Sequence, residues 1–235
     1  MTKTAILVDG GFYRKRARAQ WGQKDPASRA DELVRYTFKH LNKKDGDSSR
    51  SLYRVFYYDC PPVAKKIYHP LRKRDVDLSK EPVFKWMNDF LDELRKKRKF
   101  ALRLGRISDT SAFYQLDNDR VKKLVSGMIT VEDLVDSDFS PSFRQKQVDM
   151  KLGIDVASLA YEGIVDQIIL IAGDSDFVPA AKIARRKGID FILDPMGRTI
   201  SPDLSEHIDG LESLGKRDPQ APAKKDDVTV TSTSE

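Results

Sequence analysis

The sequence predicts an α/β protein, a three-layer αβα sandwich with helices on both faces of a central, mainly parallel sheet. Three observations point there. Short runs of uninterrupted apolar residues recur, as at Ala5-Ile6-Leu7-Val8 and at 167–172. Helix-length stretches with an apolar stripe lie between them, and the runs end at aspartate- or proline-rich turns. Strands buried on both faces belong to parallel sheets, whose right-handed crossovers cover both sides.

Each element has its own reason. Ala5-Ile6-Leu7-Val8 is a buried strand bounded by Asp9-Gly10-Gly11. Helical material follows, periodic over 31–41 through Leu33, Val34, Phe38 and Leu41. Residues 45–49 read as a loop, and 52–58, β-branched and aromatic, as a second strand stopped by Pro61-Pro62. A helix is expected over 82–99, with Pro82 in its first turn and Phe84, Met87, Phe90, Leu91 and Leu94 as its stripe. Residues 100–107 alternate like a strand, whereas 108–142 show no clean period. Val148, Leu152, Val156 and Leu159 predict a helix over 146–162. A strand at 167–172 leads into Gly173-Asp174-Ser175-Asp176, then a helix over 177–187 closed by Gly188, then a strand at 189–193. One domain is expected over 1–215, with a basic insertion at 61–145. Residues 216–235 read as a disordered polar tail.

Composition narrows the function classes. With 40% hydrophobic and 33% charged residues and no apolar run near 20 residues, a membrane span is not expected. The opening Met1-Thr2-Lys3-Thr4 lacks the sections of a secretory signal, and the single cysteine, Cys60, allows no intrachain disulfide. A cytoplasmic location is the simplest expectation. The net charge of +6 is unevenly spread: residues 61–106 hold 14 basic and 6 acidic residues, a net +8. The remainder holds 28 basic and 30 acidic. Within the basic segment, Arg95, Lys96, Lys97 and Arg98 read either as a solvated helix end or as phosphate contacts.

The carboxylates carry the chemistry. Asp9 follows the first strand, and Asp174 and Asp176 follow the strand at 167–172, so all three lie at the carboxyl edge where such sheets bind ligands. The helix beginning at Lys146 returns the chain to the opposite edge, which leaves Asp149 in its first turn on the same rim. Four like charges at one rim resist ionising together unless a hard cation joins them, and oxygen ligands suit Mg²⁺ or Mn²⁺. The competing explanation for each is local: helix caps, turns and dipole partners all favour Asp. Asp155 borders the buried face of its helix and reads first as a structural carboxylate. Asp59 and Asp194 also follow strands but precede proline turns, and His40, His69 and His207 fall in no shared motif.

Three blocks together carry a resemblance: Ile6-Leu7-Val8-Asp9-Gly10-Gly11-Phe12-Tyr13, Lys146-Gln147-Val148-Asp149 with Asp155, and Ile171-Ala172-Gly173-Asp174-Ser175-Asp176-Phe177. They resemble the signatures of NYN domains, PIN-like nucleases that share a Rossmannoid fold with the PIN and FLAP nucleases. The first signature commonly carries Asn a few residues after its Asp, where this chain has Phe12 and Tyr13. Residues 61–145 match no block of the family. The resemblance implies a metal-dependent ribonuclease that cleaves phosphodiester bonds, with Asp9, Asp149, Asp174 and Asp176 as catalytic Mg²⁺ or Mn²⁺ ligands. Asp155, Lys146 and Ser175 would stand behind or beside them. RNA is the expected partner ahead of DNA, with Arg14, Lys15, Arg16, Arg18 and the Arg95–Arg98 run tracking its backbone and no membrane involved. Self-association is left open.

Rival readings are weaker or of another kind. A haloacid-dehalogenase-type phosphatase needs an Asp where Gly11 stands, and a Toprim domain leaves Asp149 unexplained. No Gly-x-x-x-x-Gly-Lys phosphate loop is present. The alternative kept is a PIN-like module that binds RNA or a protein without cutting, since a fold does not guarantee its chemistry.

Overall fold

The computed structural model describes residues 1–42, 49–107, 112–143 and 145–216. In chain order the elements are β1 (Thr2–Asp9), α1 (Gly10–Trp21), α2 (Pro26–Asn42), β2 (Arg50–Asp59), β3 (Lys66–His69), β4 (Arg74–Asp77), α3 (Pro82–Arg95), β5 (Phe100–Leu104), β6 (Arg106–Ile107) and β7 (Phe113–Leu116). There follow α4 (Asn118–Val125), β8 (Phe139–Ser142), β9 (Gln145–Lys146), α5 (Val148–Tyr161), β10 (Gln167–Ile171), α6 (Val178–Arg186), β11 (Asp190–Asp194), α7 (Pro202–Glu206) and β12 (Gly210–Leu211). Six strands form one parallel sheet in the order β12-β11-β10-β1-β2-β5. This is the predicted αβα sandwich.

The period of two along each strand builds two cores. Leu7, Phe56, Leu170 and Leu193 point to one face, where they meet Leu152 and Val156 of α5 and Ala181 and Ala184 of α6. Ile6, Val8, Tyr57 and Ile169 point to the other, against Tyr13 of α1, Leu33 of α2 and Phe90 of α3. Strand order reverses between β1 and β10, so the ligand crevice expected of such sheets opens outside Val8-Asp9 and Ile171-Ala172.

Several boundaries differ from the sequence expectation for local reasons. The helix expected over 82–99 stops at Arg95, because the chain turns through Lys97 and a left-handed Lys99 (φ 64°) to enter β5. The strand expected over 100–107 is cut into β5 and β6 at Gly105, whose amide donates to the Asp59 carbonyl at 2.8 Å. Lys146 belongs to β9, paired with Arg106, and α5 begins only after a left-handed Gln147. α3 and β5 are parts of the main sandwich. What stands apart from it in the 61–145 stretch is a pair of antiparallel hairpins, β3–β4 and β7–β8, joined by His69, whose ring lies 4.2 Å from that of Tyr114 and 5.4 Å from that of Phe139. The loop at 45–48 and the tail from 217 lie outside the described residues.

Candidate functional site

The rim at the strand-order reversal is assembled by helix starts. Asp9 ends β1 and caps α1, accepting the Phe12 amide at 3.1 Å. Gly10 follows because Asp59 and Tyr57 lie directly beneath it; a Cβ there would come within 2.5 Å of both side chains. Asp174 caps the short 3-10 turn over Ser175–Phe177 and accepts the Asp176 amide at 3.2 Å. Asp149 sits in the first turn of α5. The Asp9 carboxyl is pushed above the usual range by burial first and then by Asp149. That of Asp149 is raised by partial desolvation, then by Asp174 and Asp176. The Asp149 charge therefore acts on Asp9, and those of Asp174 and Asp176 act on Asp149.

They do not form a metal site. Among the described residues, no group of three or more His, Cys, Asp or Glu side chains is arranged to hold a metal ion. Asp9 and Asp174 each have an oxygen turned onto a backbone amide of their own loop. The Phe12 ring also closes over Gly173, where a Cβ would meet the ring at 2.4 Å. An aromatic ring thus covers the backbone just after β10, on the Asp174 side of the rim. The expected Mg²⁺ or Mn²⁺ at Asp9, Asp149, Asp174 and Asp176 is overturned by this arrangement. With it fall the metal-dependent ribonuclease and the phosphodiester hydrolase.

The remaining sequence candidates are dispersed. Asp155 accepts the Tyr58 hydroxyl and the Arg103 Nε, both at 2.8 Å, and ties α5 to β2 and β5. Lys146 and Ser175 are exposed. Arg14 is ion-paired with Asp59, which is 1% exposed and also accepts the Tyr57 hydroxyl and the Cys60 amide, each at 2.8 Å. Arg16 donates to the Met196 carbonyl through Nε and Nη2. Lys15 and Arg18 are exposed and make no ion pair among the described residues.

The Arg95–Arg98 run lies at the opposite edge of the sheet from the acidic rim. It precedes β5, whose five residues run parallel to β2 and end beside Asp59. A strand of that length separates the run from the acidic rim by about 17 Å along the sheet alone. Arg95 pairs with Asp92, Lys96 with Glu93 and Lys97 with Asp31, while Arg98 is exposed. The run is thus set back from the acidic rim, and three of its four cations have carboxylate partners.

Sequence reasoning missed a groove. Between the first turns of α1 and α3 lies an open cleft of about 950 Å³, with Arg14, Lys15, Arg18 and Lys24 on one wall and Trp86 on the other. Its basic residues come from 10–30 and its far wall from 81–87, so no single stretch of sequence holds both walls. The clustering of Arg14, Lys15, Arg16 and Arg18 was the available signal.

No helix among the described residues is long and apolar enough to cross a membrane. The comparisons with known proteins agree with the architecture. A family model described as NYN domain matches residues 65–207, more than half of the chain. The match starts beyond β1 and Asp9 and includes the 65–145 stretch that resembled no block of the family by sequence. Uncharacterized protein MJ0482 of Methanocaldococcus jannaschii is similar, 27% identical over 160 residues that make up 66% of this chain and 64% of the relative. The chain thus spans less than two thirds of that relative's length. On the strength of the family match and the parallel αβα sandwich, the chain belongs to the NYN domain family of the PIN-like superfamily.

Proposed function

We propose that this chain is a PIN-like module that binds RNA without cutting it. NYN domains generally bind nucleic acids, and the observation that carries the reading is the rim itself. Asp149 feels the charges of Asp174 and Asp176, but no three acids among the described residues stand together for an ion, and the Phe12 ring packs over Gly173 beside them. Without a cation such a rim repels phosphate, while the cleft beside α1 presents Lys15 and Arg18 with no competing ion pair among the described residues. RNA is preferred over DNA in this reading because the motif resemblance is to RNA-directed proteins. Residues 1–215 act in it as one domain.

The test is a fluorescence-anisotropy titration of single-stranded RNA against DNA of the same sequence, in EDTA and in Mg²⁺. Binding of RNA that survives EDTA and weakens steeply with salt is the expected result. Absence of RNA binding at low salt, or binding that requires the metal, would contradict it.

A further inference from the structure

The basic cleft has a neighbour of different chemistry. A second pocket of about 380 Å³ opens where α3 faces the two small hairpins, and the two share Arg14, Glu81, Val83 and Met87 in their common wall. Its lining is mostly apolar, with Phe84 from α3, Tyr114 from β7, Phe139 from β8 and Phe143 just after it. Its cations are spoken for: Arg14 is held by Asp59, and Arg72 donates to Asp136 at 2.8 Å. The His69 ring is kept neutral by burial and by the nearby Arg72, and its Nδ1 accepts the Arg72 amide. One compartment is therefore cationic and the other aromatic and near neutral, side by side. Single-stranded nucleic acid presents that same pair of chemistries, phosphates along its backbone and flat bases beside it.

We infer that the aromatic pocket between α3 and the β3–β4 and β7–β8 hairpins receives an unstacked base of a single RNA strand whose phosphates follow Lys15 and Arg18. The inference rests on the RNA-binding reading above and adds where the strand lies and what holds it. The occupant follows from charge. Of the five basic residues lining the cleft, Arg14 is held by Asp59 and Lys24 and Arg29 by Glu32, which leaves the exposed Lys15 and Arg18 to meet a polyanion, and a double helix would bury its bases away from the pocket. Phe84, Tyr114, Phe139 and Phe143 are each only half-buried, so their rings keep surface to offer a base.

The experiment uses the full chain and a 12-nucleotide single-stranded RNA, together with a copy in which the bases are replaced by abasic ribose. Affinities of the wild type, Phe143→Leu and Phe84→Leu are compared, and melting temperatures identify a variant that has lost its fold. Wild type should prefer the base-bearing strand by about tenfold, as expected for one stacked base. Each folded variant should lose most of that preference while binding the abasic strand as wild type does. A 4-thiouridine strand irradiated on wild type should crosslink within α3 or 112–143, which needs no variant. Variants that keep the full preference, together with crosslinks elsewhere, overturn the pocket but leave RNA binding standing. A wild type that binds neither strand overturns the RNA-binding reading itself, and the pocket with it.

Discussion

Asp9 serves the fold and burdens it with the same carboxylate. It closes the first turn of α1, yet burial and Asp149 raise its pKa. For a carboxyl raised above its unfolded value near 3.9, the folded state disfavours the charge. The penalty is complete above the folded-state pKa and fades as pH falls through it. Asp9→Asn keeps the shape and an oxygen that can cap, and removes the charge. It should stabilise the protein by about 1 kcal/mol at pH 7.5, or about 2–4 °C, with the gain shrinking towards pH 4. Denaturant titrations at the two pH values check this, and a net loss at pH 7.5 would show that the charge is needed. Asp59 behaves oppositely, because its charge is matched by Arg14 and its other contacts are donors. Asp59→Asn should cost about 2–3 kcal/mol, below the full penalty for a broken buried pair because Arg14 is partly in water.

At the scale of elements, buried polar contacts pin α2 to the end of β11 and the start of β2 to Glu212, just after β12. His40 Nε2 lies 2.8 Å from Asp194, which also accepts the Tyr36 hydroxyl at 2.5 Å, and Arg50 grips Glu212 at 2.6 and 2.9 Å. Burial alone would lower the His40 pKa, but the hydrogen bond to Asp194 and the Glu212 carboxylate 3.5 Å from Nδ1 outweigh it and raise the value. A raised histidine contributes stability that is full below its unfolded pKa near 6.5 and is lost as pH rises through the folded value. The unfolding midpoint should therefore fall between pH 6 and 9 in wild type and flatten in His40→Gln. An equal fall in both would assign it to other groups. The helices also divide the basic residues. Lys15→Ala with Arg18→Ala on α1 should lower the slope of log affinity against log salt by about 1.4, at roughly 0.7 per single-strand phosphate contact. Neutralising Arg95, Lys96, Lys97 and Arg98 beyond α3 should leave it nearly unchanged; the reverse result would move the strand to the other edge.

For the whole molecule, the sandwich was legible because its strands are apolar on both faces and its helices carry clear stripes, as at Ile6 to Val8 and Phe84 to Leu94. The hairpin region was not. Strands of four residues and a helix, α4, with no buried residue leave little pattern to read. The acidic rim was legible to the backbone and no further. Strand ends fix where Asp9 and Asp174 start, but their oxygens are directed by the amides of Phe12 and Asp176, a local competition that spacing does not record. The Phe12 ring over Gly173 was visible only as a departure from the family's usual asparagine. What the molecule does with a bound strand is the central claim. The most direct measurement follows end-labelled single-stranded RNA with Mn²⁺ on a denaturing gel, using wild type and Asp9→Asn at a concentration that saturates binding. The account predicts bound, intact RNA with both proteins; cleavage by wild type that is lost with Asp9→Asn would contradict it.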